Sequence, residues 1–384
     1  MHAWRADEQA PVWASAQDEL VRTAEGSTLL DLVMDHGACM WGHGSVLERI
    51  LRRYDPTELA TGLGSTHTTE LRERATDELV GWAQQHWEGQ PELVAGILHT
   101  GAEAVEAAVK TAIAATGRPG VVTFVGAYHG SFGVAAGATA SDAGRAEFAD
   151  TVEFEHLHRE RYGSVPVLDD SVACVVAEPI QGASGATVPP DGWLDALREE
   201  CTRAGALLVL DDVMAGAGRT GNPIEGATCG PDIVTLAKAI GGGVVCSAVL
   251  ARSEVAEAAW EGDDAPTLST TYYGHPMSCA AILEVLELHE RNDVRGLAER
   301  VAATVRETAA EAGLHATGRG AMWALDTGTE QGGAKLAEAL LDRNVIVTPT
   351  GANSEAIMLL PSIRMSDDSL QWLHEAIVAT TTRA

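Results

Sequence analysis

Basic residues are scarce in this chain of 384 residues, and lysine is almost missing. Of 26 basic residues only Lys110, Lys238 and Lys335 are lysines, and the acidic residues number 55. The formal net charge of −29 disfavours binding to nucleic acid or to an anionic membrane surface, because both depend on clustered positive charge. The acidity is typical of soluble proteins, including those of salty environments. A lysine that lies outside a polar surface is therefore a candidate functional residue.

Long apolar runs and paired cysteines are also missing. No uncharged stretch approaches the roughly 18 apolar residues of a membrane span, and the N-terminal segment lacks the apolar core of a signal peptide. The six cysteines stand singly, without Cys-x-x-Cys spacing, and the 13 histidines form no cluster with them. We therefore expect a cytoplasmic protein with reduced thiols, no membrane segment and no metal site.

The chain does contain an alternation of helical patterns and short apolar runs. The runs lack strict polar alternation, which is typical of strands buried on both faces. Helical patterns cover 102–115, 192–204 and 275–291, and the apolar runs cover 120–125, 172–177, 206–210, 233–236 and 247–250. This order predicts an α/β fold with a mostly parallel sheet.

The organisation of the chain follows from where this alternation stops. We predict a large domain over 41–270 and a smaller α+β domain over 271–384, where helices at 276–291, 296–313 and 366–380 surround short strands at 322–326 and 345–347. The segment 1–40 is too short to fold alone, so we expect it to pack against the small domain.

Ligands in parallel sheets bind at the carboxyl ends of the strands. Asp211 and Asp212 follow one apolar run and must point to opposite sides, so one of them faces the crevice. Lys238 ends the run DIVTLA and is followed by glycines at 241–243, which would let the backbone pass close to a bulky group. Lys238 is either ion-paired with a neighbouring acid or suited to Schiff-base chemistry.

Further signals follow other strands. Thr100, Gly101 and Ala102 open an Ala-rich helix, whose N-terminus favours a phosphate. Tyr128 follows another run and either stacks on a flat ring or covers the edge of the core. Glu178 ends the run VACVVA. Together with the acid and the lysine, these residues indicate pyridoxal phosphate, a flat ring with a phosphate, a protonatable nitrogen and an aldehyde.

Six motifs in one order resemble the class III (ω-type) aminotransferases of pyridoxal-phosphate fold type I. They are TGAEAVEAAVK, FVGAYHGSFG, VVAEPIQGASGATVPPDGWL, ALLVLDDVMAGAGRTG, PDIVTLAKAIGGG and STTYYGHPMSCAA. The resemblance runs from about residue 29 to about residue 377 and implies a fold type I transferase with a large cofactor-binding domain.

The resemblance also implies roles for single residues. Lys238 would form the Schiff base with the cofactor, and Asp211 would pair with the pyridine nitrogen. Val213 would pack under the ring and Tyr128 would stack above it. The remaining cofactor positions are Thr100, Gly101 and Ala102 at the phosphate, with His129, Glu178 and Met214 supporting the site. Thr271 would bind the phosphate of the partner subunit's cofactor, which implies a homodimer with shared active sites.

Two of the departures from the family pattern bear on the cofactor and the substrate. Met214 stands where a glutamine usually approaches the ring hydroxyl, as in glutamate-1-semialdehyde aminomutases and some amine transaminases. Met358 stands where many amino-acid transaminases have an arginine that grips the α-carboxylate. This favours a donor without that carboxylate, such as a diamine or a terminal amine. Arg364, Arg5 or Arg22 would be the alternative carboxylate ligand.

The resemblance implies a transaminase that moves an amino group from an amine, diamine or ω-amino acid to a keto acid or aldehyde in two half-reactions. The alternative is an aminomutase or epimerase of the glutamate-1-semialdehyde aminomutase-like branch, which needs no second substrate. The GRTG stretch at 218–221 favours the transaminase. A non-catalytic relative would be expected to lack Lys238 or Asp211, and both are present.

Overall fold

The computed structural model describes residues 11–60, 67–140, 157–260, 268 and 270–382. Strands and helices are numbered along the described chain. The strands are β1 (Trp13–Gln17), β2 (Leu20–Thr23), β3 (Thr28–Asp31), β4 (Leu93–Leu98), β5 (Gly120–Phe124), β6 (Leu157–Glu160), β7 (Val172–Ala177), β8 (Leu207–Asp211), β9 (Ile233–Leu236), β10 (Ser247–Arg252), β11 (His315–Arg319), β12 (Met322–Asp326), β13 (Val345–Ile346), β14 (Thr348–Thr350) and β15 (Ala356–Leu359). The helices are α1 (Ser45–Arg53), α2 (Pro56–Leu59), α3 (Glu70–His86), α4 (Gly101–Thr116), α5 (Gly133–Ala138), α6 (Trp193–Ala204), α7 (Ser253–Trp260), α8 (Pro276–Arg291), α9 (Val294–Ala312), α10 (Gly332–Leu341) and α11 (Asp367–Thr381).

The largest sheet among the described residues has seven strands in the order β4-β10-β9-β8-β7-β5-β6. Strands β6, β5, β7, β8 and β9 pair in parallel, and β10 lies antiparallel between β9 and β4. The predicted mostly parallel α/β sheet is therefore confirmed. Its carboxyl ends meet along one edge, where the polar residues that follow the strands come together.

Both faces of this sheet are covered, as the apolar runs predicted. In β7, Cys174 and Val176 pack with the side chains of α4, whereas Val175 and Ala177 belong to the main core on the other face. Successive side chains of a strand point to opposite faces, so an uninterrupted apolar run fits a strand between two helical layers. Helix α8 packs on the main-core side through Ile282 and its neighbours.

The C-terminal part forms a smaller layer. An antiparallel sheet of order β11-β12-β15-β14 is accompanied by α9, α10 and α11. The N-terminal strands form a second sheet of order β1-β2-β3-β13, in which β13 pairs in parallel with β3. The N-terminal segment thus shares a sheet with the C-terminal part, while the boundaries at 40/41 and 270/271 stay predictions. Among the described helices, none combines the length and the apolar character that crossing a membrane requires.

Candidate active site

A cavity of about 260 Å³ opens at the carboxyl ends of β5, β7, β8 and β9. It gathers every predicted site residue except Thr271. The predicted residues that line it are Thr100, Gly101, Ala102, Tyr128, His129, Glu178, Asp211, Val213, Met214 and Lys238. Thr271 lies exposed in the turn that precedes α8, outside this cavity.

Lys238 begins a short 3-10 turn directly after β9 and has a left-handed backbone, with φ of 47°. Its side chain is partly exposed to the cavity, and no hydrogen-bond or ion-pair partner reaches its amine among the described residues. Burial lowers the pKa of Lys238, while the nearby charges of Asp211 and Glu178 oppose that shift. An ion-paired lysine, the alternative interpretation of the sequence, is therefore not what these residues form.

Asp211 ends β8 and holds a hydrogen-bonded pair with His129. Asp211 Oδ2 lies 2.6 Å from His129 Nδ1, and Asp211 Oδ1 accepts hydrogen bonds from the Thr235 hydroxyl at 3.3 Å and the Val213 N–H at 3.2 Å. Burial lowers the pKa of His129, but the bond to Asp211 and its charge outweigh burial, so the pKa is raised. The pair therefore places an oriented carboxylate at the deep end of the cavity.

Asp212 points away from the cavity, as two adjacent strand residues must. Its Oδ2 accepts the Glu225 N–H at 2.8 Å. Burial and the charge of Glu225 raise the pKa of Asp212 well above its usual value. Of the two acids, Asp211 is the one that faces the ligand crevice, as the resemblance implied.

Glu178, at the end of β7, supports the loop that carries Tyr128. Its two carboxyl oxygens accept the Tyr128 N–H at 3.1 Å and the Gly182 N–H at 3.2 Å. Burial, together with the charge of Asp211, raises the pKa of Glu178 to about 7. The Tyr128 ring borders the cavity, and its hydroxyl pairs with Ser131 Oγ at 3.0 Å.

The opposite end of the cavity is the N-terminus of α4. Thr100 caps this helix in a capping box with Glu103, whose carboxylate accepts the Thr100 N–H at 2.9 Å. The backbone N–H groups of Gly101 and Ala102 have no partner within the described chain and border the cavity. Two free N–H groups at the positive end of a 16-residue helix form a site for an anion such as a phosphate.

Close packing brings this helix end against the rest of the cavity wall. A Cβ added to Gly101 would meet Val213 Cγ1 at 2.9 Å, and one added to Gly130 would meet Ala102 Cβ at 2.6 Å. The residues present therefore fit pyridoxal phosphate. Unpaired N–H groups can hold its phosphate, Asp211 can pair with its ring nitrogen, and the unpartnered Lys238 amine can reach its aldehyde.

The methionines that depart from the family pattern lie on one side of this cavity. Met214 lines the cavity and packs against Gly182, where an added Cβ would lie 2.2 Å from the Met214 sulfur. Met358 is 5% exposed in an apolar cluster against which Met214 packs, and it does not line the cavity. The side chains at these two positions therefore offer no hydrogen-bond donor.

Neither of the two proposed alternative arginines that the structure describes lines the cavity. Arg22 and Arg364 line a different surface cleft, and Arg5 lies outside the described residues. Arg219 of the GRTG stretch is fully buried, and its guanidinium donates to the carbonyls of Gly37 at 2.8 Å, Ala321 at 3.2 Å and Pro361 at 2.5 Å. Burial lowers the pKa of Arg219 to about 9. Arg219 thus ties segments together and does not face the cavity.

The sequence analysis missed several residues of the site and placed the glycines at 241–243 near it. Thr123 and Thr235, fully buried in β5 and β9, bond to the His129–Asp211 pair, and their only signal was a hydroxyl in an apolar run. Ser131 and Phe132 also line the cavity. The glycines at 241–243 do let the backbone pass close to other groups, but these are Val46 at Gly242 and Cys39 at Gly243, and none of the three glycines lines the cavity.

One further cluster brings together metal-ligating atom types. Asp35, Cys39 and His43 place ligand atoms within 4.8 Å of one another. The Cys39 thiol donates to Asp35 at 3.3 Å, and His43 Nε2 pairs with Asp31 at 2.8 Å. Each of these groups is therefore already partnered within the protein.

Comparison with known proteins gives one consistent result. The family model for class III aminotransferases matches residues 5–381. The acetylornithine aminotransferase of Methanopyrus kandleri is 37% identical over 243 residues, which are 61% of this chain and 61% of that protein. The putrescine aminotransferase of Pectobacterium atrosepticum is 34% identical over 293 residues, which are 70% of this chain and 61% of that protein. The matches thus span less than two thirds of either relative.

Solved structures share the fold over the whole chain. An amine transaminase from an uncultivated Pseudomonas species, in its PLP-bound form, superposes with a TM-score of 0.86 and 24% identity, covering 100% of this chain and 98% of that chain. The ornithine aminotransferase of Toxoplasma gondii superposes with a TM-score of 0.85 and 21% identity, covering 99% of this chain and 92% of that chain. At these identities the likeness establishes the architecture.

Proposed function

This chain belongs to the class III aminotransferases, and on that premise we propose that it transfers an amino group from an amine, diamine or ω-amino acid to a keto acid or aldehyde. Pyridoxal phosphate is the cofactor of the family, and the predicted fold type I architecture is confirmed. The observation that carries the proposal is the unpartnered Lys238 amine in a cavity that also holds the Asp211–His129 pair.

The cofactor site follows from the residues on either side of the cavity. When bound, pyridoxal phosphate supplies an aldehyde that takes up the donor's amino group and a ring that stabilises the resulting negative charge. The carboxylate of Asp211, fixed by His129 and Thr235, would pair with the ring nitrogen and favour its protonated form. The N–H groups of Gly101 and Ala102 hold the phosphate at the helix end.

Lys238 supplies the group that moves protons. Burial lowers the pKa of its amine, so a larger fraction is neutral near pH 7 and able to accept a proton. In the proposed cycle Lys238 Nζ would accept the proton lost from the carbon beside the substrate nitrogen, and the resulting ammonium would give that proton back. The strand β9 and the turn that follows it hold the lysine in place.

The proposed class of amine donor follows from the charged residues that line the cavity. Among the described residues that line the cavity, Lys238 and His129 are the basic ones, and both are committed to the chemistry or to Asp211. Met214 lines the cavity, and Met358 lies in the apolar cluster behind it. We therefore favour a donor whose reacting carbon bears no carboxylate, such as a diamine or a terminal amine, as in the name of the putrescine aminotransferase.

The assembly is part of the same proposal. Thr271 is exposed outside its own cavity, and the apolar side chains of Phe132 and Tyr272 are 81% and 64% exposed. A second copy of the chain would cover these side chains and receive Thr271 at its own phosphate site. The six buried, unpaired cysteines support a reducing, cytoplasmic location.

Absorbance spectra of the purified protein with a panel of amines test the function. A visible band that bleaches with diamines or terminal amines, and returns with a keto acid, supports the transaminase. Turnover without an acceptor supports the alternative, an aminomutase or epimerase, with which Met214 at the cavity wall is also compatible. Bleaching by α-amino acids alone contradicts the proposed donor class.

The variant Lys238→Ala tests the residue that carries the proposal. We expect turnover to fall by about a thousandfold or more, because general acid–base and covalent contributions are both lost. Lys238→Arg is the matched control, since it keeps the positive charge but cannot form an imine. Substantial transamination by either variant contradicts the role of Lys238.

A further inference from the structure

A tight turn carries Thr271 toward helix α8. Two hydrogen bonds tie this turn to the end of β4. The Gly274 N–H donates to the Ile97 carbonyl at 2.9 Å, and His99 Nε2 lies 2.6 Å from the Tyr272 carbonyl oxygen. Because a carbonyl oxygen only accepts, His99 Nε2 carries a hydrogen and donates.

His99 stands directly before the cap of α4. Its other ring nitrogen, Nδ1, lies 3.4 Å from Glu103 Oε2, the same carboxylate oxygen that accepts the Thr100 N–H. The imidazole is therefore held against the phosphate end of α4 on one side and against the Tyr272 peptide on the other. The His99 side chain is 17% exposed.

The bond from His99 is the one that ties the Tyr272 peptide, next to Thr271, to the segment before α4. Gly274 and Ile97 fix the far end of the turn, and His275 Nδ1 accepts the Met277 N–H at 3.2 Å at the start of α8. The Tyr272 carbonyl belongs to the residue that follows Thr271, and the Thr271 side chain has no hydrogen bond within the described chain. Without His99 the turn keeps its far anchors and its closing bond from the Tyr273 N–H to the Thr270 carbonyl at 3.0 Å, but the Tyr272 peptide beside Thr271 loses its tie to the segment before α4.

We propose that His99 is a positioning residue for phosphate binding, which holds the Tyr272 peptide so that the Thr271 hydroxyl faces the cofactor phosphate of a second subunit. This rests on the proposed function, in which Thr271 meets that phosphate. The same ring contacts the end of α4 that binds the phosphate of its own subunit. His99 thus links the phosphate sites of two active sites through one side chain.

Two substitutions separate the roles of the ring nitrogens. His99→Gln places an amide nitrogen near the position of Nε2 and retains the donor to the Tyr272 carbonyl. His99→Asn ends near the position of Nδ1 and does not reach it, while His99→Ala removes both contacts. Full-length chains are titrated with pyridoxal phosphate and, as the matched probe without phosphate, with pyridoxal. Binding is followed by absorbance.

We expect His99→Ala and His99→Asn to weaken pyridoxal phosphate binding by about threefold to tenfold, the effect of one lost hydrogen bond. His99→Gln should bind nearly as the unchanged protein does, and pyridoxal binding should be the same in all variants. In a Thr271→Ala background, His99→Ala should add nothing, because the two residues act as one unit.

Other results overturn the inference. Equal loss for pyridoxal and pyridoxal phosphate would show a general structural role, and additive losses with Thr271→Ala would show that His99 does not act through Thr271. If His99→Ala does not fold, the comparison of His99→Gln with His99→Asn decides the question. If the unchanged protein binds neither probe, the proposed function fails, whereas failure of the variants alone overturns only the role of His99.

Discussion

At the scale of single residues, the cavity is lined by buried ionisable groups that interact with one another. His129 forms hydrogen bonds with both Asp211 and Thr123. The Glu178 carboxylate accepts hydrogen bonds from two backbone N–H groups and lies near the charges of His129 and Asp211. The motifs predicted that these residues belong to one site. They did not predict the pairing of His129 with Asp211, because residues so far apart in sequence reveal their contact only in the folded chain.

The raised pKa of Glu178 predicts how the free energy of unfolding depends on pH. Burial raises its pKa from 4.5 to about 7, so the folded protein keeps a proton that the unfolded chain releases. The free energy of unfolding should therefore fall as the pH rises from about 4.5 to about 7, and the raised pKa of His129 acts in the same direction. Urea denaturation of the cofactor-free protein at several pH values measures the slope.

Glu178→Gln isolates this contribution, since glutamine does not titrate. Its slope of stability against pH should be shallower than that of the unchanged protein, even if its absolute stability is lower. The control is Glu338→Gln, an exposed position on α10. An unchanged slope in Glu178→Gln would contradict the buried, proton-holding carboxyl.

At the scale of elements, the agreement with the sequence follows burial. The run predicted at 172–177 is β7, and the helix predicted at 275–291 is α8 within one residue. Strand β15 was missed although its four residues are buried, and other missed strands lack an apolar signature, such as β1, whose five residues are all exposed. Such a strand is held by pairing with β2, and periodicity cannot reveal a partner.

The close contact between Gly130 and the start of α4 predicts the effect of adding a side chain at Gly130. Gly130 has φ of 136°, and an added Cβ would lie 2.6 Å from Ala102 Cβ. Gly130→Ala should therefore displace the helix end and weaken pyridoxal phosphate binding by about tenfold or more, as measured by absorbance titration. Gly192→Ala is the matched control, because it has φ of 76° but no atom within 4 Å of the added Cβ. Similar losses in both variants would point to backbone strain alone.

At the scale of the whole molecule, Arg219 connects parts of the chain that lie far apart in sequence. Its buried guanidinium donates to carbonyls of Gly37, Ala321 and Pro361. The sequence suggested that its GRTG motif marks the reaction type, whereas its contacts show a connection between the N-terminal segment and the C-terminal domain. The GRTG motif is therefore better evidence for how the chain folds than for the type of reaction.

Replacing Arg219 should loosen this connection. Arg219→Met should lower the free energy of unfolding by about 3 kcal/mol, because it leaves buried carbonyls without donors. Chemical denaturation measures this loss, and Arg22→Met, at an exposed arginine, serves as the control. A loss no larger than that of the control would show that the carbonyls find other partners.

The proposed dimer predicts the effect of a charge at the mouth of the cavity. Phe132 is 81% exposed, and Phe132→Asp would place a carboxylate in the proposed apolar interface. We expect a monomer by light scattering, together with weaker retention of the cofactor. Val167→Asp, at a residue that is 92% exposed, should leave the assembly unchanged. A dimeric Phe132→Asp protein would place the interface elsewhere.

The parallel pairing of β3 with β13 has a consequence for biosynthesis. Leu30 pairs with Val345, so β3, which is synthesised early, cannot pair with β13 until the chain is almost complete. Strands β7, β8 and β9 pair with neighbours that emerge soon after them. We therefore expect the central sheet to form while translation continues, with β1, β2 and β3 docking last. Nascent chains arrested before residue 345 should be protease-resistant in the central sheet and still cleavable near residue 30.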